Sequence, residues 1–454
     1  MKFDLVVIGA GPGGYVAAIR GAQLGMKTAV IEKEHLGGVC LNFGCIPTKA
    51  LLKAADIYKT IKNSEEFGIS CKDVSFDIKK IVERSRNVAQ KLSKGIEFLL
   101  QKNNVTLFKG HATLSGNSKI DVKNSSENIS AKNIIIATGA RARKLDGLCE
   151  GIWYYKEAML PSKLPESILI IGSGAIGMEF ASLYNEFGSN VTVLEVCDTI
   201  LRTEDEEISR MARKEFESRG IKIITGAKLE SLTKEGDKFS AKISCIKEKV
   251  TFENVICAVG VQPNIENIGI ENTKIEILDG YIKTNDNFET REKGVYAIGD
   301  VTSPPWLAHK ASHEGIACVD GISGLSVHKL DKNMIPACIY SNPQIASVGI
   351  SENEAKKLGL KVKVGKFPFS ASGKAIAMGD DFGIIKMIFD ANTGEILGAH
   401  MIGNGVTELI HSVTVAKSLE STEKELMNSI FPHPTLSESI HEATLAAFNR
   451  AIHI

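Results

Sequence analysis

A glycine-rich pattern occurs twice in this chain, and corresponding residues of the two copies are separated by the same interval throughout. In the segment from Leu5 to Glu32, apolar residues precede the glycines, and a helical pattern and a second apolar run follow them. The segment from Leu169 to Glu195 has the same order. The matching residues are Gly9, Gly11, Gly14 and Glu32 in the first copy and Gly172, Gly174, Gly177 and Glu195 in the second. The repeat predicts two βαβ units that each bind a dinucleotide.

Each type of residue that recurs in the two copies has a physical role in such a unit. The first glycine permits a tight turn, the second lets the backbone approach a pyrophosphate, and the third allows close packing of helix and strand. The pyrophosphate then lies at a helix N-terminus, where free N–H groups and the helix dipole favour an anion. Glu32 and Glu195 end the second strand of their units, where a carboxylate accepts a hydrogen bond from a ribose 2′-hydroxyl. No arginine directly follows Glu195, so the second unit is expected to prefer NAD to NADP.

Two further strand ends are expected to contact a nucleotide. The apolar run 133–137 ends in Thr138 and Gly139, and the run 295–298 ends in Gly299 and Asp300. An aspartate in that place can bind a ribityl hydroxyl or a water on the pyrophosphate, although alone it could equally cap a turn. With two dinucleotide units in one chain, we expect one resident flavin and one nicotinamide nucleotide.

Two of the nine cysteines, Cys40 and Cys45, lie close together in sequence. A helical run covers residues 50–58, and Pro47 suits the first turn of that helix, which places Cys45 at or just before its N-terminus. That position lowers the pKa of a thiol. A bridge between the two cysteines needs an irregular backbone, which Gly44 can supply. The other seven cysteines have no metal-ligand or paired spacing and are expected to be buried fillers or surface thiols: Cys71, Cys149, Cys197, Cys245, Cys257, Cys318 and Cys338.

Composition narrows the class of protein. The 454 residues suggest several domains, and the 54 basic and 54 acidic residues balance, so no overall charge favours nucleic acid or an anionic membrane. The N-terminus enters an apolar strand at once, which leaves no room for a signal peptide, and no apolar run approaches the ~20 residues of a membrane span. We therefore expect a cytoplasmic protein that binds neither nucleic acid nor membrane.

Five motifs, in order along the whole chain, resemble those of the pyridine nucleotide-disulfide oxidoreductases, and within that family the dihydrolipoamide dehydrogenases. They are GAGPGG, GGVCLNFGCIPTK, GSGAIG, YAIGD and HPTLSE. The resemblance implies an α/β fold with two Rossmann-like domains, one for FAD and one for NAD, and a C-terminal α+β dimerisation domain. It implies that the chain oxidises dihydrolipoyl groups of a lipoyl domain or lipoyl carrier protein.

The resemblance also assigns roles to single residues. It makes Cys45 the charge-transfer thiol beside the flavin and Cys40 the interchange thiol that meets the substrate. Lys49 resembles the lysine that the family places near flavin N5, and Glu179 resembles its partner. Without the family, both would be ordinary charges on helix faces. Two positions complete the expected nucleotide contacts: Ala308 for FAD and Gly260 for NAD.

The HPTLSE motif places a histidine before a carboxylate near the C-terminal end, and a carboxylate makes an imidazole a better base. By resemblance His433 and Glu438 form a dyad that reaches into the active site of a partner chain, so the site requires a homodimer. A lone histidine between prolines would more often be a turn residue.

The chain departs from the family pattern at three places. Val261 and Gln262 follow Gly260 where the family often has an arginine, so the nucleotide contact of that arginine is in doubt. Phe43 is bulkier than the usual aliphatic residue between the cysteines, and Phe431 and Pro432 replace a common His-Ala.

The motifs predict a domain order. The flavin domain is expected at residues 1–147, the NAD domain at 148–261, a returning flavin and central segment at 262–335, and the dimerisation domain at 336–454. After Pro336 the sequence predicts strands at 337–340 and 383–389 and helices at 406–418 and 437–448, which fit an α+β domain. The rival functions are another disulfide reductase of the family, such as a glutathione or mercuric ion reductase, and a nucleotide-binding redox sensor without turnover. Glu195 and the intact set of two cysteines, histidine and glutamate count against them.

Overall fold

The computed structural model describes residues 1–116, 118–123, 128–327 and 330–454. In these ranges the strands are β1 (Lys2–Ile8), β2 (Thr28–Glu32), β3 (Thr106–Lys109), β4 (Ala112–Gly116), β5 (Lys119–Val122), β6 (Ile129–Ile136), β7 (Ala140–Ala142), β8 (Ser167–Ile171), β9 (Asn190–Leu194), β10 (Lys222–Ile224), β11 (Leu229–Glu235), β12 (Lys238–Ile243), β13 (Val250–Phe252), β14 (Asn254–Cys257), β15 (Val261–Pro263), β16 (Ile277–Leu278), β17 (Tyr281–Ile282), β18 (Val295–Ala297), β19 (Ala337–Ile339), β20 (Gln344–Gly349), β21 (Val362–Pro368), β22 (Gly383–Asp390) and β23 (Ile396–Gly403).

The α-helices of the same ranges are α1 (Pro12–Gln23), α2 (Gly38–Phe43), α3 (Cys45–Lys62), α4 (Ile78–Lys102), α5 (Tyr155–Ala158), α6 (Ala175–Glu186), α7 (Glu206–Ser218), α8 (Ala308–Ile322), α9 (Glu352–Lys357), α10 (Gly373–Ala377), α11 (Val406–Ser418), α12 (Glu423–Asn428) and α13 (Glu438–Ala447). Short 3-10 turns occupy Ser64–Phe67, Ile270–Asn272, Gly299–Val301, Lys332–Met334 and Phe369–Ala371. None of the helices in the described part of the chain is long and apolar enough to cross a membrane.

The first glycine-rich unit forms the centre of a mainly parallel sheet. Strands β3, β2, β1, β6 and β18 lie side by side and parallel, and the antiparallel pair β4 and β5 extends the sheet from the start of β6. The strands are nearly continuous apolar runs because both faces of a parallel sheet are covered. Leu5 and Val7 of β1 pack with Ala17 and Ala18 of α1, and all four side chains are fully buried.

The second unit repeats this arrangement in a smaller sheet. Strands β10, β9, β8 and β14 are all parallel, and α6 follows β8 as α1 follows β1. Phe180 and Tyr184 of α6 are buried against Ile168 and Ile170 of β8. In the first sheet, β1 precedes the glycines and lies between β2 and β6. In the second sheet, β8 precedes the glycines and lies between β9 and β14. In open α/β sheets ligands bind where the connections leave the sheet in opposite directions from such a strand.

The C-terminal part folds as a five-stranded antiparallel sheet in the order β19, β20, β23, β22, β21. The buried side chains of Ile440 and Ala443 on α13 pack with those of Ile385 and Met387 on β22. Glycine is required at position 365 of β21, because a Cβ atom there would lie 1.8 Å from the Ala443 carbonyl oxygen. The helices 406–418 and 437–448 that we expected from sequence are α11 and α13.

A buried cation joins the C-terminal sheet to the second unit. The Lys386 ammonium on β22 lies 3.0 Å from Asp205 and 3.2 Å from Glu207, at the start of α7, and 2.9 Å from Glu352. Lys386 is 2% exposed, so its charge depends on these carboxylates. The contact holds α7 against the sheet.

Candidate active site

The N-termini of α1 and α6 carry the two glycine loops. Gly11 and Gly174 precede the helices, and neither helix start has a side chain that caps it by a hydrogen bond. Pro12 occupies the first position of α1, where it has no N–H to lose. The other first-turn N–H groups of both helices therefore remain available to an anion.

The loop glycines are needed for two different reasons. Gly9 and Gly172 have φ angles of +100° and +102°, a backbone conformation that favours glycine. Open space lies beside the second glycines: a Cβ atom on Gly174 would meet nothing within 4 Å, and one on Gly11 would meet only the Gly38 Cα at 4.0 Å. Each loop thus has a backbone that a pyrophosphate can approach closely.

A carboxylate stands beside each loop in the same orientation. One Glu32 oxygen accepts from the Ala10 N–H at 2.7 Å, and one Glu195 oxygen accepts from the Ser173 N–H at 2.9 Å. Burial raises the pKa of Glu195, but hydrogen bonds from Ser173 and Cys197 outweigh it and hold the pKa below its usual range. The carboxylate stays ionised at neutral pH, as an acceptor for ribose hydroxyls requires.

Cys40 and Cys45 form a disulfide with a Cα–Cα distance of 4.7 Å. Cys40 lies in α2 and Cys45 is the first residue of α3; Gly44 between them has φ −146° and ψ −116°, which interrupts the helix as expected. The sequence did not predict α2. Cys45 thus lies at a helix N-terminus, where the dipole stabilises a thiolate once the bridge opens.

Lys49, one turn into α3, pairs with Glu179 of α6. The Lys49 ammonium is 2.9 Å from both carboxylate oxygens, and the Glu179 side chain is 8% exposed. The pair joins the helix that carries Cys45 to the helix that follows the second glycine loop.

One cavity of about 1960 Å³ connects these features. It is lined by every predicted site residue except Gly14, Gly177, His433 and Glu438; the predicted contacts Thr138, Gly139, Asp300, Ala308 and Gly260 are therefore all at its wall. Its volume exceeds the roughly 300–1,000 Å³ of a single small-molecule pocket. The disulfide and both dinucleotide loops line this one space, so the residues fit a flavin and a nicotinamide nucleotide with the thiol pair in the same cavity.

The Gly299–Asp300 turn is held by a buried ion pair of α8. One Glu314 oxygen accepts from the Gly299 N–H at 2.7 Å, and the other lies 2.8 Å from the Lys310 ammonium. Burial raises the pKa of Asp300 to about 6; Lys310 acts in the opposite direction. The turn thus presents a carboxyl group that titrates just below neutral pH to the cavity.

His433 and Glu438 are brought together away from this cavity. The His433 Nδ1–H group donates to Glu438 Oε1 at 2.9 Å, and Glu438 Oε2 accepts from the Thr435 N–H at 2.8 Å. Burial raises the pKa of Glu438, but these hydrogen bonds outweigh it and leave the pKa lowered. The His433 side chain is 79% exposed. Its Nε2 atom therefore faces outward, while the disulfide of the same chain lies elsewhere.

Sequence reasoning missed several residues of the site. Cys197 and Cys338 line the cavity, whereas Cys257 and Cys318 are buried and Cys71 and Cys245 exposed, as fillers and surface thiols would be. The signal for Cys197 was its place two residues after Glu195, to which its N–H donates at 2.9 Å.

Two of the departures from the family pattern also have a structural setting. Val261 and Gln262 lie in β15, which pairs with β7, and Val261 lines the cavity. The Phe43 ring lies under the Arg86 guanidinium, with 4.7 Å from its centroid to the guanidinium carbon.

Comparisons with known proteins agree with this geometry. A model of the pyridine nucleotide-disulphide oxidoreductases matches residues 3–315, and a model of their dimerisation domain matches residues 335–444. The chain is 48% identical to a dihydrolipoyl dehydrogenase of Rhizobium etli over 99% of each chain, and 45% identical to one of Bacillus subtilis over 100% of this chain and 99% of the other. The crystal structure of LpdA from Mycobacterium tuberculosis has the same fold, with a TM-score of 0.92 at 24% identity over 98% of this chain and 99% of that one.

These findings confirm the predicted fold class, the dimerisation domain, and FAD and NAD as the cofactors. Two family models together match most of the chain, and the two relatives are well above 40% identical to it over its full length. These matches assign the chain to one family. The chain is a member of the pyridine nucleotide-disulphide oxidoreductase family and an FAD-dependent oxidoreductase.

Proposed function

We propose that this chain oxidises dihydrolipoyl groups to lipoyl groups and reduces NAD⁺ to NADH. The observation that carries the proposal is the Cys40–Cys45 disulfide, which shares one cavity with both dinucleotide loops. A dithiol that gives its electrons to this bridge is thereby connected to a nicotinamide nucleotide within a single site. The names of the full-length relatives support the lipoyl substrate.

The glycine loops divide the nucleotides between them. We assign FAD to the loop of Gly9, Gly11 and Gly14 with Glu32, and the loop of Gly172, Gly174 and Gly177 with Glu195 to NAD. Four further cavity residues contact FAD in this assignment: Thr138, Gly139, Asp300 and Ala308. Gly260 belongs to the NAD site, and Lys49 with Glu179 to the flavin ring.

The thiol chemistry begins at Cys40. A dihydrolipoyl thiol gives its proton to His433 of the partner subunit and attacks the Cys40 sulfur. The bond between the cysteines breaks, and Cys45 leaves as a thiolate that the N-terminus of α3 stabilises.

The second lipoyl thiol completes the exchange. It attacks the lipoyl sulfur that is bonded to Cys40 as its proton passes to the Cys40 sulfur, so the lipoyl disulfide forms and Cys40 leaves as a thiol. This proton and the one on His433 pass to solvent when the cysteine pair is reoxidised. FAD, when bound, supplies the two-electron path that returns the Cys40–Cys45 pair to a disulfide and reduces NAD⁺. Each turnover moves two electrons and leaves the protein unchanged.

The base in this scheme comes from a second copy of the chain. Within one chain the exposed His433 does not line the cavity of the disulfide, and the C-terminal domain matches a dimerisation domain. We therefore propose a homodimer in which each chain gives the His433–Glu438 dyad to the site of the other.

The remaining assignments follow from this function. We propose that the substrate is a lipoyl group on a lipoyl domain or lipoyl carrier protein, and that the domain limits are those expected from sequence: 1–147, 148–261, 262–335 and 336–454. We also propose that the enzyme acts in the cytoplasm, where a reducing environment lets a close cysteine pair cycle.

A steady-state assay separates this function from its rivals. Purified enzyme is given dihydrolipoamide with NAD⁺, and in parallel glutathione disulfide with NADPH. We expect turnover in the first assay and not in the second. Turnover only with glutathione disulfide would identify another disulfide reductase, and no turnover in either assay by protein that holds FAD would favour a redox sensor.

A further inference from the structure

The Lys49–Glu179 pair has a third member, which comes from the dimerisation domain. Glu179 Oε1 accepts from the backbone N–H of Tyr340 at 2.9 Å, in addition to its contact with the Lys49 ammonium. Tyr340 follows β19, inside the stretch that matches the dimerisation domain. The carboxylate thus connects the flavin-side lysine to a distant part of the chain.

The Tyr340 side chain contacts the same lysine from another direction. The Lys49 ammonium lies 4.4 Å from the centroid of the Tyr340 ring, within the range in which a ring face attracts a cation. Burial raises the pKa of Tyr340 to about 12, so the ring is a neutral phenol at physiological pH. Lys49 is therefore held between a carboxylate and an aromatic face, and the two contacts fix the place of its ammonium.

A second anchor fixes the segment that carries Tyr340. The Asn342 N–H donates to the Ser182 hydroxyl at 2.9 Å, and Ser182 lies three residues after Glu179, on the same face of α6. The backbone N–H groups of Tyr340 and Asn342 are thus both bound by the same face of α6. The position of the Tyr340 ring follows from this docking.

We propose that Tyr340 is a positioning residue that holds the Lys49 ammonium at the flavin and thereby raises the reduction potential of bound FAD. The proposal rests on the assignment of Lys49 to the flavin ring made above. A cation beside a flavin favours the form that has gained electrons, so a lysine that is less well held makes the flavin harder to reduce. The docking of the dimerisation domain on α6 is in this way coupled to the redox chemistry of the cavity.

The test compares two substitutions in the holoenzyme. Tyr340→Leu removes the ring face and keeps the backbone N–H to Glu179, whereas Tyr340→Phe keeps both and removes only the hydroxyl. The readout is the ratio of reduced to oxidised flavin in equilibrium with a dye of known potential. We expect Tyr340→Phe to match the parent and Tyr340→Leu to lower this ratio by about 2- to 10-fold, the range of a partly exposed cation–π contact.

Two further measurements show whether the effect acts through Lys49. In a Lys49→Met background, Tyr340→Leu should cause no additional shift, because the cation that the ring holds is absent. In the Tyr340→Leu enzyme, an amine-directed reagent should label Lys49 faster than in the parent, as measured by peptide mass spectrometry. Should Tyr340→Leu fail to fold, Tyr340→Met is also apolar and ringless and gives the same readouts.

The proposal is overturned if Tyr340→Leu leaves the flavin ratio and Lys49 labelling unchanged. It is also overturned if Tyr340→Phe shifts the ratio as much as Tyr340→Leu, or if the shift persists in Lys49→Met. None of these measurements uses a lipoyl substrate. If the enzyme did not oxidise dihydrolipoamide, the proposed function would be refuted, but the flavin ratio and the Lys49 labelling would still decide the role of Tyr340.

Discussion

The carbonyl oxygen of Gly9 lies 1.9 Å from the place that a Cβ atom on Gly14 would occupy, and Gly172 and Gly177 have the same relationship at 2.0 Å. Backbone atoms cannot yield at such a distance without moving the loop. The third glycine of each unit is therefore needed for the loop to close onto its helix, and the loop is where the pyrophosphate is expected to bind.

We expect matched alanine substitutions to separate the two nucleotide sites. Gly14→Ala should give colourless protein that no longer retains FAD, whereas Gly177→Ala should stay yellow and lose affinity for NAD. Flavin absorbance after desalting and a titration with NADH measure the two outcomes. Gly95→Ala, in helix α4 with open space around its Cα, is the control and should change neither. A Gly177→Ala protein that lost FAD but bound NADH normally would contradict the assignment.

Glu195 predicts a strong preference for NAD over NADP. Its pKa is held low by hydrogen bonds, so a 2′-phosphate would meet an ionised carboxylate and lose the acceptor for the 2′-hydroxyl. Hydrogen bonds to charged groups contribute about 1.5–3 kcal/mol, so Glu195→Ala should narrow the ratio of kcat/KM for the two nucleotides by about 10- to 100-fold.

The matched control is Glu32→Ala, which removes the equivalent carboxylate of the other loop. It should weaken FAD retention and leave the preference for NAD intact. Equal rates with NAD and NADP in the unmodified enzyme would refute the assignment of Glu195.

Much of this site could be predicted because its determinants are local. The apolar runs that became β1 and β8 and the positive φ angles at Gly9 and Gly172 depend on a few neighbouring residues. The break at Gly44 and the helix start at Cys45 are equally local. Such features can be inferred from patterns along one segment.

Other features depend on residues that are distant in sequence. Cys338 at the cavity wall and the Tyr340 ring on Lys49 result from the docking of the C-terminal domain on α6, which no local pattern describes. The roles of the predicted site residues stay predictions, and that of His433 depends on a second chain.

The raised pKa of Asp300 predicts a pH dependence for protein stripped of FAD. The folded-state pKa of about 6 lies above the ordinary value of 3.8, so the folded state binds a proton that the unfolded chain has lost. The stability that this proton contributes is fully present below pH 3.8 and is lost as the pH rises through 6. The cost of ionising Asp300 above that pH is up to about 3 kcal/mol.

Asp300→Asn should remove this dependence. Denaturant unfolding of the apoprotein should show the variant to be more stable than the parent at pH 7.5, with the difference shrinking toward pH 5. Asn in place of the exposed Asp237 is the control and should give no such trend. A difference between Asp300→Asn and the parent that did not vary with pH would show that the carboxyl group titrates normally.

The exposed His433–Glu438 dyad predicts a loss of rate without a loss of cofactors. His433→Gln should keep FAD and NAD binding and slow dihydrolipoamide oxidation by about 10²- to 10⁴-fold, the usual effect of removing a general base. Glu438→Gln should slow the reaction less than His433→Gln does, because the imidazole is still present and only the carboxylate that orients it is lost. A His433→Gln enzyme with parental kcat would show that another group takes the proton.

Hybrid dimers test whether the dyad acts on the partner subunit. Co-expression of Cys45→Ser and His433→Gln chains gives dimers in which one site combines an intact disulfide with an intact histidine from the other chain. If the site is shared, the mixture should recover about one quarter of the parental activity. If each chain used its own His433, neither site of the hybrid would be complete and activity would stay at the level of the single variants.

The position of Cys45 at the start of α3 predicts an optical signature of the reduced cysteine pair. The helix dipole favours the Cys45 thiolate, and a thiolate beside an oxidised flavin absorbs at long wavelength through charge transfer. Cys40→Ser should show this band even without substrate, because Cys45 then has no partner to bridge. Cys45→Ser should lose both the band and the oxidation of dihydrolipoamide, and Cys338→Ser, which alters another thiol at the cavity wall, should keep both.

Absorbance spectra of the three variants before and after addition of one equivalent of dithionite measure the band. If the band followed Cys40 instead of Cys45, the two cysteines would have to exchange their roles. If Cys40→Ser and Cys45→Ser both oxidised dihydrolipoamide at the parental rate, the electrons would not pass through this disulfide.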